Sequence, residues 1–204
     1  MNGYLIPARK HRIETMVVNS RFLATVDFAP TAADARAFIH AIRNEMPDAS
    51  HHVYAFRAGY GNSVTEGLSD DGEPSGTSGP PVMAVLRGQD IGDVVIVVTR
   101  YFGGTKLGTG GLVRAYSDAA REALLSLPVT RKIARTLVGF DLPYPLYEQV
   151  KRLISAYEGE ITEETFAADV TLLAVFPDDQ VPAFDHALSE LTAGRIKSVS
   201  LGSV

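Results

Sequence analysis

The reactive side chains of this sequence gather in two glycine-rich segments. The first, S-D-D-G-E-P-S-G-T-S-G-P-P over residues 69–81, sets Asp70, Asp71 and Glu73 among turn formers. Three carboxylates in so short a span suit a divalent cation or general-base work. Their spacing departs from an EF-hand loop, which alternates its acidic ligands and ends on a glutamate. The competing reading is a solvated loop whose Asp and Ser side chains cap turns. The second segment, R-Y-F-G-G-T-K-L-G-T-G-G-L-V-R-A-Y over residues 100–116, holds Gly103, Gly104, Gly108, Gly110 and Gly111. Glycines there allow sharp turns and close approach of another group. Free N–H groups at the start of a following helix would attract an anion. Arg100, Lys106 and Arg114 add positive charge, and Tyr101 and Phe102 add flat stacking surface. Basic and aromatic residues together suit phosphates and unpaired bases. The segment is not a Walker loop, because GK[ST] is missing, and GxGxxG is not formed convincingly. The competing reading is tight strand–helix packing that demands small residues.

Other chemistries find less support. There are no cysteines, which removes disulfides, thiolate zinc sites, iron–sulfur clusters and cysteine nucleophiles together. His51 and His52 are adjacent and point to opposite faces if they lie on a strand, so they cannot share one metal. His11, His40 and His186 supply no ligand spacing either, and neither a metal nor a cofactor is expected. Ser69, Ser75 and Ser78 lack a GxSxG elbow, which argues against a hydrolase triad.

The elements that must position these segments follow from periodicity. Glu14–Phe28 alternates and is rich in β-branched residues, which predicts a strand or hairpin. Thr31 stands three residues before Asp34, a capping-box spacing, and Ala35, Phe38, Ile39, Ile42 and Met46 recur at helical intervals. A helix is therefore expected over 32–46, ended by Pro47. Residues 52–57 read as a short strand and 58–81 as a long loop. Residues 82–87 and 93–101 read as strands. Residues 112–125 read as a helix packing through Ala115, Ala119, Ala120 and Ala123. Beyond them come a strand (136–142), a helix (146–157), a hairpin (160–166 and 169–176), a helix (181–191) and a strand (196–201). That order is βαββαβ, the split-βαβ pattern.

Charge divides the chain at the same place. The net charge is −5 over 204 residues. Residues 1–135 hold 15 Lys+Arg against 13 Asp+Glu, and residues 136–204 hold 4 against 11. The first unit is thus slightly basic and the second strongly acidic, which predicts two domains, 1–135 and 136–204. Glu158, Glu160, Glu163 and Glu164 read as a solvated face that would repel nucleic acid. Apolar residues make up 46%, enough for a real core. No apolar run approaches the roughly twenty residues of a membrane span, and no signal peptide is evident, so no membrane partner and a cytoplasmic location are expected.

The central residues carry a family resemblance. Gly79, Val82–Met83, Leu86, Ile91, Val97–Val98, R-Y-F-G-G (100–104), Leu107 and Gly108 resemble the signature block of the YigZ/IMPACT family. S-H-H-V-Y-A-F-R (50–57), S-D-D-G-E-P-S-G-T-S-G-P (69–80) and T-G-G-L-V-R-A-Y (109–116) are similar to that family as well. The resemblance implies an α+β chain. Its first domain would share the fold of ribosomal protein S-five domain 2, and its ferredoxin-like second domain would resemble domain V of elongation factor G. It also implies a translation-associated regulator that binds RNA, the ribosome or a translation-related protein, without DNA sequence specificity. The expected nucleic-acid or phosphate contacts are Arg100, Tyr101, Phe102, Gly103, Gly104, Lys106, Gly108, Gly110, Gly111 and Arg114. His51, Asp70, Asp71, Glu73 and Ser75 form an accessory loop set. Two readings stay open beside this one. One is an enzyme on a phosphorylated small molecule or nucleotide held by residues 103–111. The other is a module that binds protein alone.

Overall fold

A computed structural model describes residues 3–61 and 63–203. The apolar run of β6 (Val94–Tyr101) lies at the centre of a five-stranded antiparallel sheet. Its neighbours are β3 (Ser20–Phe28) on one side and β4 (His51–Tyr60) on the other. The edges are β2 (His11–Val17) and β5 (Ser63–Ser69). A continuous apolar strand is what burial on both faces requires. Val94, Ile96 and Val98 face helices α2 (Gly79–Arg87) and α3 (Gly108–Leu125). Val95 and Val97 face helix α1 (Ala32–Glu45). Helix α1 begins as its capping residues predict, with the Thr31 hydroxyl accepting the Asp34 N–H at 3.1 Å. β1 (Gly3–Pro7) and β7 (Val129–Ile133) pair as a two-stranded sheet.

Two expectations need correction. Residues 82–87 are not a strand but most of α2. Pro80 and Pro81 stand in its first turn, where their missing N–H groups cost nothing. Val82, Met83 and Leu86 are buried on its inner side. A short apolar run looks the same in a strand or a buried helix, and the Gly-Pro-Pro start is the local feature that favours helix here. Nor is 58–81 one loop. β4 continues to Tyr60, and the polar β5 pairs with it. A polar strand fits an edge, with one side open to water. The remaining loop is 70–78. Helix α3 also begins four residues before the expected Leu112, at Gly108.

Compactness separates Tyr4–Arg131 from a second unit built from Lys132 onward. The second unit runs β8 (Arg135–Leu142), α4 (Tyr147–Ala156), β9 (Glu160–Phe166), β10 (Val170–Pro177), α5 (Val181–Thr192) and β11 (Val199–Ser203). The sheet order β11-β8-β10-β9, antiparallel throughout, is the split-βαβ arrangement. Its core joins Phe140, Leu172 and Phe176 to Ile154, Phe184 and Leu188. Ile196, expected in the last strand, precedes it and is buried in this core. The chain is an α+β protein of two domains. Among the described residues no helix is long and apolar enough to cross a membrane.

Candidate functional site

Strand alternation decides which side chains meet at the end of β6. Arg100 continues the row of Ile96 and Val98 toward α3, while Thr99 and Tyr101 turn to the α1 face. Arg100 pairs in register with Phe22 of β3 and His51 of β4, which puts the three on one face. His52 falls on the other, with Nδ1 3.1 Å from the Thr99 hydroxyl. Burial is the main force holding the His52 imidazole below its ordinary pKa. The two histidines diverge as strand geometry requires.

The 70–78 loop folds back over this end of the sheet. Asp70 ties it down: its carboxylate accepts N–H groups of Gly76 (2.8 Å), Ser78 (3.0 Å) and Gly79 (2.8 Å) and the Ser78 hydroxyl (2.8 Å). Burial works to raise this carboxyl, but those hydrogen bonds outweigh it and hold it below the ordinary range. Asp71 accepts the His52 N–H at 2.6 Å and pairs with Arg43. The Asp70 carboxylate therefore does what the turn-capping reading describes, while that of Asp71 fastens the loop to β4 and to Arg43. Among the described residues no metal-binding group of His, Asp and Glu forms.

Glu73 behaves differently. It is buried, and its Oε1 accepts Arg100 Nη1 at 2.7 Å and the Tyr116 hydroxyl at 2.7 Å. His51 Nε2 lies 3.9 Å from the same oxygen. Burial first, and Glu73 second, push the Tyr116 phenol well above its ordinary pKa, so it stays protonated and donates. Arg100 is only 4% exposed. It gives a second hydrogen bond to the Ser20 hydroxyl at 3.2 Å, and its guanidinium lies between the rings of Phe22 and Phe102, 5.5 Å from each centroid. Arg100, Glu73 and His51 line a cavity of about 390 Å³ together with Phe102, Lys106 and Gly108.

The expected contact set is thus divided. Arg100 is no surface cation; it is a buried ion-pair partner at the cavity. Tyr101 belongs to the opposite face, where Arg21 sits 4.4 Å from its ring and its hydroxyl donates to Asp48 at 3.2 Å. Phe102 and Lys106 stand exposed at the cavity rim. Gly103 serves packing, since a Cβ there would overlap the Asn19 carbonyl. Gly104 has positive φ and open space around it. Gly108, also at positive φ, turns the chain into α3, whose first turn carries no acidic residue and no side-chain cap. Gly110, Gly111 and Arg114 line a separate depression with Val17 and Val18. Of the accessory set, His51 and Glu73 reach the cavity, Asp70 and Asp71 shape the loop, and Ser75 is exposed outside the lining.

Sequence reasoning missed Tyr116 and Ser20. Tyr116 carried a readable signal: it interrupts the alanine face of α3, and a phenol turned into a core needs a hydroxyl partner. Ser20 carried none, because its role arises only from strand register.

Residues 18–124 match the Impact N-terminal domain, and residues 140–195 match a domain of unknown function, DUF1949. The chain belongs to the IMPACT family. It is 38% identical to an IMPACT family member of Haemophilus influenzae over 96% of both chains. It is 34% identical to the IMPACT family member YigZ of Escherichia coli, over 98% of this chain and 99% of that one. It is 30% identical to the Bacillus subtilis member YvyE, over 96% and 89%. A crystal structure described as that of a hypothetical protein is 34% identical, with a TM-score of 0.73 over 99% of this chain and 98% of the other.

Proposed function

We propose that this IMPACT-family chain is a translation-associated protein that contacts unpaired RNA, alone or within the ribosome, through its N-terminal domain. One observation carries this reading. Phe102 is 49% exposed, has the Arg100 guanidinium packed against it, and stands beside exposed Lys106 and the uncapped start of α3. A ring held in place by a buried cation is a stacking platform for a base, and Lys106 with the first N–H groups of α3 suits the adjoining phosphate.

The test is binding to ribosomes and short RNAs across a salt series. Phe102→Ala is expected to weaken binding by about 1–3 kcal/mol, the worth of one base–aromatic stack. Lys106→Glu is expected to lower the slope of log affinity against log salt by at least about one phosphate contact. Absence of binding at low salt, or binding indifferent to both changes, overturns the reading.

A second reading rests on the convergence of Glu73 with Lys106 and Gly108 on one cavity. That convergence is what an enzyme on a phosphorylated small molecule would need. Thermal stabilisation by a member of a nucleotide and sugar-phosphate panel, with turnover, supports it over RNA contact.

A further inference from the structure

The cavity holds two hydrogen-bond acceptors left without donors. The Asp71 carbonyl can only accept, so the 2.8 Å bond to His51 assigns the proton of the neutral imidazole to Nδ1. In that tautomer Nε2 is an acceptor, 3.9 Å from Glu73 Oε1, on a residue that lines the cavity. On Glu73, Arg100 and Tyr116 both use Oε1. Oε2 accepts no hydrogen bond among the described residues, and it is not one of the sealed, unpartnered atoms of the interior. It is the open oxygen of a carboxylate whose residue lines the cavity.

The charge of this carboxylate is already matched by Arg100 at 2.7 Å. A carboxylate already paired with a guanidinium is a poor trap for an ammonium group and a good one for neutral hydroxyls. The neighbouring groups narrow the class. Phe102 offers a face to a planar ring, and Lys106 offers a charge to a phosphate. Hydroxyls, a planar ring and a phosphate met in one cavity describe a ribonucleotide.

We infer that the cavity is a ribose-reading site, in which Glu73 Oε2 and His51 Nε2 accept hydrogen bonds from the sugar hydroxyls of one nucleotide of a bound single strand. This rests on the RNA-contact reading and deepens it: the 2′-hydroxyl becomes the group by which the domain tells RNA from DNA. The stacking platform alone is blind to the sugar.

The experiment compares oligouridylate with the 2′-deoxy strand of the same sequence and length, at one low salt concentration, on the full chain. The ribo strand is expected to bind about tenfold more tightly, the ratio that a hydrogen bond to a charged acceptor supports. Glu73→Gln places an amide where the open acceptor stood, and His51→Phe removes the other acceptor while leaving the Glu73–Arg100 pair intact. Each is expected to bring the ratio toward one chiefly by weakening the ribo strand. The ratio in the unaltered chain and in His51→Phe decides the matter even if Glu73→Gln fails to fold. Equal binding of the two strands overturns the ribose site and leaves RNA contact standing. A ratio that survives both substitutions overturns the assignment to Glu73 and His51. Binding of neither strand overturns the site and the RNA-contact reading together.

Discussion

At the end of β6 the chain buries a guanidinium that composition alone would place on the surface. Arg100 sits in the row of side chains that forms the core, and only Glu73, Ser20 and two rings make that tolerable. Truncating one partner of such a pair leaves an uncompensated buried charge, at a cost of about 3–5 kcal/mol. Arg100→Ala is therefore expected to lower stability in urea unfolding by that amount. Adding Glu73→Gln to it is expected to restore part of the loss, because the stranded charge is then gone. An Arg100→Ala chain as stable as the parent would show that the pair contributes nothing. The residue types of this site were legible in the sequence: Glu73, Arg100, Phe102 and Lys106 stand in the two glycine-rich segments, and His51 in the S-H-H-V-Y-A-F-R stretch before them. Their roles were not, because role follows from alternation. Neighbours Arg100 and Tyr101 occupy opposite faces, and no property of either residue says which is inward until the register of β6 is known.

Elements were legible where a period ran long enough. Helix α1 has a cap and four turns of amphipathic pattern, and the alanine face marked α3. Helix α2 and strand β5 were not, since the first is too short and apolar to declare its period and the second is a polar edge. The glycines joining β6 to α3 show how one motif serves two purposes. A Cβ at Gly103 would collide with backbone at Asn19, whereas one at Gly110 would meet nothing within 4 Å. Gly103→Ala is expected to destabilise the domain by more than 1 kcal/mol, on the order of an overpacked core site. Gly110→Ala, inside α3 at negative φ, is expected to stabilise it by about 0.5–1 kcal/mol. Thermal unfolding of the two variants checks both signs. Packing thus accounts for Gly103 but not for Gly110.

For the whole molecule, several groups shift in one direction. His52 is held low chiefly by burial. Glu45 is held at about 2 by hydrogen bonds from Arg12 and Lys10, and hydrogen bonds also hold Asp70 low. A group whose folded pKa lies below its unfolded one stabilises the fold above the unfolded value and loses that contribution as pH falls. Stability is therefore expected to decline in two stages on acidification, first below about pH 6.5 as unfolded His52 gains its proton, then below about pH 4.5 as carboxylates do. Urea midpoints across pH measure this, and His52→Asn is expected to remove the first stage while sparing the second. A midpoint flat down to pH 5 in the unaltered chain contradicts the first stage. On the charge division between the halves, the RNA proposed above would be attracted by the first domain and repelled by the second. Last, Arg100 stands one residue before the end of β6 and is as buried as the strand that carries it, so the floor of the cavity is part of the core. The rim residues Phe102 and Lys106 are exposed but flank elements already formed, so a ligand would meet a folded site. Calorimetry should then find the heat-capacity change of one buried nucleotide, without the larger signal that accompanies the folding of a segment on binding.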